Sequence, residues 1–280
     1  MTFSIVGFDP ETKELGVAVA SKFLGVGAVV PFAKAGVGAI ATQSWANLNY
    51  GAHGLEMLEN GFNPHEVLEE LVRNDTNSAT RQVGIVDAQG RSVTFTGDDC
   101  YDWAGGSAGV NFAAQGNILV DQQTLETMES TFLQSTGPLA ERLLASLLAG
   151  DTAGGDSRGR QSAALLIVKE NGSYGGYNDR YIDLRVDDHV DPVQELARLL
   201  KLHKLYFERT LPEDIVTIEG PLAQELQELL YENGHLQREL SEHDDLLDAV
   251  QSYHLIENFD ERVQPRGMID EKVVEYMRIK

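Results

Sequence analysis

The amino-acid sequence predicts a mixed α+β fold. Apolar runs with the two-residue alternation of strands occur in blocks, and segments with the spacing of amphipathic helices occur in pairs. The predicted order is four strands, two helices, three strands, two helices, two strands and one helix. Alternating βαβ units do not give such blocks. With 280 residues, of which 42% are hydrophobic, the chain can form one large core or two smaller ones.

The first 44 residues contain four apolar runs that favour strands. The first two flank a turn at residues 9–12, in which Pro10 has the φ that the second position of a turn prefers, so they are predicted to form a hairpin. The predicted strands cover residues 3–8, 15–21, 26–32 and 36–42.

Two helices are predicted to follow, the first at about 46–59. The second begins at Asn63, which can cap it, with Pro64 at the first helical position and Glu66 in the first turn. It is predicted to end near Asn74.

The middle of the chain returns to strands. Residues 87–90 are typical of a hairpin turn, with strands predicted at 82–86 and 92–96. The glycine-rich stretch 105–109 lacks the lysine of a phosphate-binding loop, and we predict a bend there, before a strand at 110–115.

The remaining elements of the first 210 residues are helices and strands in pairs. Amphipathic spacing predicts helices at 122–134 and 138–149, and apolar runs predict strands at 161–168 and 181–186. A last helix is predicted at 191–207, opened by Asp191 and Pro192.

The composition changes after residue 210. Residues 211–280 hold 17 acidic and 6 basic residues, so this quarter of the chain carries half of the net charge of −22. Short helical patterns recur at 222–232, 244–252 and 270–277, and no single one is long or apolar enough to stand alone. We therefore predict a domain at 1–210 and an acidic helical appendage at 211–280, which buries its apolar residues across a two-fold axis as a homodimer.

Charge and cysteine content restrict the function. A net charge of −22 argues against nucleic acid or an anionic membrane as a partner, because both attract basic surfaces. Cys100 is the sole cysteine and lies among acidic residues, which disfavour its thiolate. No apolar run reaches the length of a membrane span and the chain opens without a signal-peptide pattern, so a cytoplasmic protein is expected. The seven histidines show no metal-ligand spacing, and neither metal nor cofactor is predicted.

The start of the chain holds the first candidate site. If Met1 is removed, Thr2 has a free α-amine beside its hydroxyl, and such an amine can serve as the general base of its own nucleophile. Ser4 lies on the same face of the strand. In the predicted hairpin, Ser21 and Lys22 come close to Thr2, and the charge of Lys22 would lower the pKa of the neighbouring amine. Alternatively, Thr2 is an ordinary second residue and Lys22 a solvated lysine at the end of a strand.

A second candidate site is the loop at residues 156–162. Asp156, Arg158 and Gln161 lie together before a buried strand and can provide an oriented carboxylate and a clamp for an anion. Alternatively, Asp156 and Arg158 pair with each other and only fix the loop. The amide of Asn117, after another strand, is a candidate donor to an oxyanion, although it could equally close a turn.

The sequence resembles a family at three places. The opening reads TFSIVGFDPETKELGVAVASKFLGVGAVVPFAKAGVGAIATQS, and the motifs AQGN at 114–117 and DSRGRQS at 156–162 follow. Over about residues 2–210 the chain resembles the domain-of-unknown-function 1028 family, which is assigned to the N-terminal nucleophile (Ntn) hydrolase superfamily. The resemblance implies a four-layer αββα sandwich, but it supplies no substrate.

The positions and chemistry of these residues, together with the resemblance, lead to the following predicted roles. Thr2 would be the nucleophile of an amidohydrolase that acts on a small amide, assisted by Ser21, Lys22 and Asn117. The predicted substrate-binding residues are Ser4, Gln43, Asp156, Arg158 and Gln161.

Two further points stay open at this stage. Tails in this family have been likened to a peptidoglycan-binding module, whereas without a signal peptide we expect a dimerisation or lid appendage. The alternative to the hydrolase is a non-catalytic protein on the same fold that retains Met1 and holds a small ligand at 156–161. Intact mass spectrometry of the N-terminus distinguishes the two.

Overall fold

The structure, a computed structural model, describes residues 2–236 and 243–280, so Met1 lies outside the described residues. The chain divides into two compact units, residues 1–199 and 200–280, whereas the sequence placed the change of character at residue 210. The fold is mixed α+β, as predicted, and every strand pairing among the described residues is antiparallel.

The first unit contains two sheets. Its strands are β1 (Thr2–Phe8), β2 (Leu15–Ser21), β3 (Pro31–Lys34), β4 (Gly38–Ser44), β5 (Arg81–Asp87), β6 (Ser92–Thr96), β7 (Gly105–Gly109), β8 (Phe112–Asn117), β9 (Ser162–Val168) and β10 (Arg180–Val186). One sheet has six strands in the order β10-β9-β2-β1-β8-β7, and the other has four in the order β3-β4-β5-β6. The N-terminal strand β1 is therefore a central strand, paired on both sides.

The two sheets pack face to face. Val6 of β1 and Val17 of β2 belong to the same buried cluster as Ala41 of β4 and Val86 of β5. Alternation along β1 directs Thr2 and the even-numbered residues after it to this interface, because successive side chains of a strand point to opposite faces. Every residue of β1 is buried as a result.

Helices cover the other face of each sheet. The helices of this part of the chain are α1 (Asn49–Glu59), α2 (Pro64–Arg73), α3 (Gln123–Gln134), α4 (Leu139–Thr152) and α5 (Pro192–Phe207). The pair α1 and α2 packs on the four-stranded sheet, whereas α4 packs on β1 and β2 with α3 beside it. The predicted start of α2 is confirmed: Asn63 accepts hydrogen bonds from the main-chain N–H groups of His65 and Glu66, and Glu66 closes the capping box.

Two predicted elements were wrong. The apolar run 26–32 is not a strand but a short 3₁₀ turn at Val26–Ala28, followed by β3 from Pro31. Val26 and Val30 are buried in the core, so their apolar character reflects burial and not strand pairing. The glycine-rich stretch is not a bend but β7, which forms a hairpin with β8 through Asn111 at φ 70°.

The second unit has a core of its own. It contains β11 (Ile215–Thr217), α6 (Gly220–Glu232), α7 (His243–Ile256), β12 (Met268–Asp270) and α8 (Glu271–Ile279). Twelve buried residues, among them Leu226, Tyr253 and Phe259, form one hydrophobic cluster. The premise that this region must bury its apolar residues on a neighbour was therefore wrong: α6, α7 and α8 together cover a core that no one of them could cover alone.

A buried ion pair fixes the end of the second unit. Arg262 and Asp270 are 1% and 0% exposed, and Nη1 of Arg262 lies 2.9 Å from Oδ2 of Asp270. The same guanidinium donates to the carbonyl oxygens of Lys204 and Leu205, and Asp270 caps α8 by accepting from the N–H of Lys272. All charges and most polar atoms of the pair are thus satisfied inside the unit.

Candidate functional site

The candidate site is built around the first residue of β1. Thr2 lies opposite Asn117 of β8 on one side and next to Ser21, the last residue of β2, on the other. Oγ1 of Thr2 is 3.1 Å from Oγ of Ser21, so the predicted proximity of these residues is confirmed. Thr2 is 7% exposed and Ser21 is 2% exposed. Two hydroxyls therefore meet at the end of the central hairpin.

A network of buried amides lies beside Thr2, between the two sheets. Gln82 of β5 is its centre, and it is fully buried. Oε1 of Gln82 accepts from Nε2 of Gln43 at 2.8 Å and from Nδ2 of Asn117 at 2.9 Å. Its Nε2 donates to Oγ1 of Thr96 and to the carbonyl oxygens of Gly105 and Gly116, at 2.9, 3.1 and 2.7 Å. Gln82 thus connects the four-stranded sheet to β7 and β8.

The same network contains two of the predicted substrate-binding residues. Ser4 donates its hydroxyl to Oε1 of Gln43 at 2.7 Å and accepts from Nε2 of Gln115 at 2.6 Å. Ser4, Gln43 and Gln115 are at most 1% exposed. In this arrangement they contact one another inside the protein, and their predicted contact with a substrate stays a prediction.

Gly84 makes room for this network. Gln115 crosses from β8 towards β5, and a Cβ placed on Gly84 would lie 1.9 Å from Oε1 of Gln115. The side chain of any other residue at position 84 would displace the amide of Gln115.

Two amides hold the main chain of Thr2. Nε2 of Gln43 donates to the carbonyl oxygen of Thr2 at 3.2 Å, and Nδ2 of Asn117 contacts the same oxygen at 3.4 Å. Asn117 comes from β8, which pairs with β1, and Gln43 comes from β4 in the facing sheet. The position of Thr2 is therefore determined by side chains of both sheets as well as by its own strand.

The 156–162 loop is tied to the end of β2. Oδ2 of Asp156, a residue that is 7% exposed, accepts from the N–H of Lys22 at 2.6 Å, and Oδ1 accepts from the N–H of Arg158 at 2.9 Å. Nη2 of Arg158 donates to the carbonyl oxygen of Lys22 at 3.1 Å. Asp156 and Arg158 thus form hydrogen bonds with the main chain of Lys22, the residue that follows Ser21.

The side chains of Lys22 and Gln161 do not bond to Thr2 or Ser21. Nζ of Lys22 donates to the carbonyl oxygen of Arg160 at 3.1 Å, on the exposed side of the loop. Gln161 donates to Oδ1 of Asp188 at 3.1 Å, and not to Thr2 or Ser21. The structure therefore joins Asp156 and Arg158 to the Thr2 end of the hairpin through Lys22, whereas Gln161 lies outside this group.

A further buried carboxylate anchors the loop from behind. Asp151, at the end of α4, is 8% exposed and pairs with Arg160, with N–O distances of 2.9 and 2.8 Å. Burial raises the pKa of Asp151, and the hydrogen bond with Arg160 opposes the rise. Sequence analysis missed Asp151, because an acid at the end of a helix gives no sign of the arginine that it meets.

Three other features of the described residues concern function. Within 2–236 and 243–280, no three histidine, cysteine, aspartate or glutamate side chains converge as metal ligands would. Among the helices of those same ranges, none combines the length and the apolar character required to span a bilayer. Cys100 is buried, and its thiol donates to the carbonyl oxygen of Arg81.

Comparison with known proteins relates both units to families. The model described as "Family of unknown function (DUF1028)" matches residues 2–196, and the one described as "Putative peptidoglycan binding domain" matches residues 206–277. No functionally curated protein matches the chain. The crystal structure of protein SPO2555 from Silicibacter pomeroyi, described as DUF1028, is 28% identical with a TM-score of 0.66, over 80% of this chain and 92% of that one. The first of these two family models matches well over half of the residues of this chain. The chain therefore belongs to the family of unknown function DUF1028.

Proposed function

We propose that the chain is an Ntn-type amidohydrolase that cleaves the C–N bond of a small amide, with Thr2 as its nucleophile. The observation that carries the proposal is the position of Thr2. It is the first residue of a central strand, its hydroxyl meets that of Ser21 at 3.1 Å, and its carbonyl is held by Gln43 and Asn117. A nucleophile needs such a fixed position to attack a bound substrate.

The packing of the first unit supports an αββα sandwich of the Ntn type as the finer description of the fold. Two antiparallel sheets face each other, α1 and α2 cover one of them, and α3 and α4 cover the other. The interface between the sheets is apolar over most of its area and polar around Thr2. Thr2, the first residue of β1, lies at this polar part of the interface, which is where we place the site.

The proposed reaction follows from the groups around Thr2. Removal of Met1 leaves an α-amine that takes the proton of the Thr2 hydroxyl while Oγ1 attacks the carbonyl carbon of the amide. The C–N bond breaks, the proton passes to the leaving amine, and water then hydrolyses the ester on Thr2. Ser21 orients the hydroxyl. Lys22, whose Nζ donates to the carbonyl oxygen of Arg160, contributes through its main chain, which Asp156 and Arg158 hold next to Ser21.

Asn117 is the proposed donor to the oxyanion. Its 3.4 Å contact with the Thr2 carbonyl is longer than its 2.9 Å bond to Gln82, so the bond to Thr2 is the weaker one. A donor loses little when it exchanges a long contact for the charged oxygen of a tetrahedral intermediate. Asp156 and Arg158 would keep Lys22 in place, and binding of substrate by their loop stays part of the proposal.

The first test is the state of the N-terminus. Intact mass spectrometry of the purified chain should show that Met1 has been removed, because only then does Thr2 have a free amine. The same preparation is screened with small amides, ureides and acyl-amino acids for release of the amine. A chain that retains Met1 and binds such compounds without cleaving them would support the alternative, a non-catalytic ligand-binding protein.

The second test is substitution of Thr2. Thr2→Ala should lower hydrolysis more than about a thousandfold, because the nucleophile is lost, and Thr2→Ser should retain part of it. Thr127→Ala, which removes a hydroxyl from a partly buried position on α3, is the matched control and should act like the wild type. Hydrolysis by Thr2→Ala at the wild-type rate would refute the assignment of the nucleophile.

The second unit has a separate candidate function. We propose that residues 206–277 bind peptidoglycan, which rests on the match to the family model of that description. In a sedimentation assay, insoluble peptidoglycan should carry the full-length chain into the pellet, and cellulose, a glycan without peptides, should not. Equal sedimentation with both polymers, or with neither, would contradict this function and leave the dimerisation or lid role.

A further inference from the structure

We propose that Gln82 is a positioning residue: it fixes which end of the Asn117 amide is directed at Thr2, so that an N–H donor, and not an oxygen, faces a bound substrate there. The part of Gln82 in catalysis rests on the proposed hydrolase, in which Asn117 donates to the oxyanion. The orientation itself rests on the hydrogen bonds of the buried network.

The main chain determines the orientation of the Gln82 amide. Its Nε2 lies 3.1 Å from the carbonyl oxygen of Gly105 and 2.7 Å from that of Gly116, two residues that face each other in the hairpin of β7 and β8. A carbonyl oxygen can only accept, so the nitrogen of the amide must be on this side. Reversal of the amide would place its oxygen against two carbonyl oxygens, in a region without solvent.

The oxygen of Gln82 then determines the orientation of Asn117. Oε1 of Gln82 is on the other side of its amide, 2.9 Å from Nδ2 of Asn117. An amide oxygen can only accept, so the Asn117 atom that faces it must be the nitrogen. A reversed Asn117 would direct its own oxygen at Oε1 of Gln82 and at the carbonyl oxygen of Thr2, which Nδ2 contacts at 3.4 Å.

The bond to Gln82 keeps this orientation when a substrate is bound. The 3.4 Å contact of Asn117 with Thr2 is the one that the oxyanion is proposed to replace, so the bond to Gln82 holds the amide during that exchange. Gln43 has a second constraint, because the hydroxyl of Ser4 donates to its Oε1 at 2.7 Å. Loss of the Gln82 amide should therefore disturb Asn117 more than Gln43.

The orientation of Asn117 matters because an oxyanion is stabilised by donors and repelled by acceptors. A donor that is oriented before the reaction needs no reorganisation when the charge develops, and removal of one such donor lowers kcat about a hundredfold to a thousandfold. The oxyanion forms only on the way to the transition state. A disoriented Asn117 should therefore lower kcat and leave KM almost unchanged.

The first test is neutron diffraction from crystals of the full-length wild-type chain, which distinguishes nitrogen from oxygen in a side-chain amide. The nuclear map should show nitrogen, with its hydrogens or deuterons, at the Gln82 atom that faces Gly116 and at the Asn117 atom that faces Gln82. An oxygen at either position would overturn the proposal. This test requires neither a substrate nor a variant that folds.

The second test is a double-mutant cycle in kcat. Gln82→Met keeps the length of the side chain without the amide and should lower kcat about a hundredfold, with KM within about twofold of the wild-type value. In the Asn117→Ala background the same substitution should lower kcat less than about threefold, because no amide is left to orient. Gln134→Met, at an exposed position of α3, is the matched control and should change neither constant.

The outcomes separate positioning from a structural role. An equal loss of kcat on Gln82→Met in the wild-type and Asn117→Ala backgrounds, with the folded fraction measured by circular dichroism, would overturn the proposal, since a structural defect acts in both. A wild type that cleaves no amide would refute the proposed hydrolase, and the neutron map would then decide the orientation of Asn117 by itself.

Discussion

Replacing Gln82 by leucine tests whether the buried amide network holds the two sheets together. Leucine has a similar volume but no polar atoms, so the change removes both acceptor bonds and the contacts that the two N–H protons of the amide share among three oxygens. Gln43 and Asn117 then lose one partner each, and the carbonyl of Gly116 loses its 2.7 Å donor in a region without solvent.

The expected cost follows from these contacts. A buried hydrogen bond contributes about 1 kcal/mol net to folding. The amide of Gln82 accepts two bonds and has two N–H protons to donate, so its four bonds together contribute about 4 kcal/mol. The apolar surface of a buried leucine returns about 1.5–3 kcal/mol. Gln82→Leu should therefore lower the free energy of unfolding of the first unit by about 1–2.5 kcal/mol, which is a measurable part of the stability of an ordinary domain.

Tryptophan fluorescence isolates the relevant unit. The chain has two tryptophans, Trp45 and Trp103, and both lie in residues 1–199. Urea unfolding followed by their emission reports on the first unit alone, and the shift of the midpoint multiplied by the slope gives the loss of free energy. Gln134→Leu, the same substitution at an exposed position of α3, is the control and should change stability by less than about 0.5 kcal/mol.

A loss below about 1 kcal/mol for Gln82→Leu would refute the reasoning. It would mean that the orphaned donors and acceptors find new partners, and that the network does not hold Thr2 in place.

Three other predictions concern acid stability, the buried ion pair and assembly. The hydrogen bond from Arg81 holds the pKa of Asp75 well below its usual range. The stability that this carboxylate contributes is therefore present above about pH 4 and is lost as the pH falls through the pKa of Asp75 in the folded protein. Urea midpoints should fall more steeply with acid in the wild type than in Asp75→Asn, and parallel curves would contradict this. Asp270→Ala leaves the guanidinium of Arg262 buried without its carboxylate and should cost the second unit about 3–5 kcal/mol, as measured by thermal unfolding followed by circular dichroism; a cost below 1 kcal/mol would mean that water reaches the pair. Exposed apolar side chains on α7 and α8 favour a homodimer, so light scattering at micromolar concentration should give twice 30.7 kDa, and a monomer would count against it.

Local signals in the sequence predicted most elements of the fold. The start of α2 was predictable because Asn63, Pro64 and Glu66 are adjacent and each acts on the backbone next to it. The run at 26–32 was not, because an apolar residue indicates burial and does not say whether it is buried as strand or turn. The glycines of β7 have low strand propensity, and only their pairing with β8 makes them a strand.

The candidate site was predictable only where one hairpin determines it. Ser21 had to come near Thr2 because two consecutive strands and a short turn fix which residues face each other. Gln82 is 80 residues away from Thr2 in sequence. It lies opposite Gln43 on the neighbouring strand β4 and reaches Asn117 across the interface between the two sheets. A sequence gives the alternation within each strand, but not which residues of two facing sheets meet.

The amide network also constrains how this chain can change over generations. Gln43, Gln82 and Asn117 satisfy one another, so a substitution at one of them leaves a partner unsatisfied, and the effects of two substitutions should not add. A fully apolar interface at the same place would lose no partner, but it is several simultaneous substitutions away. Random mutagenesis should therefore recover double and triple replacements at these positions, whereas single replacements are eliminated. A laboratory lineage that reaches the multiple replacements would first have to acquire a stabilising substitution elsewhere in the unit.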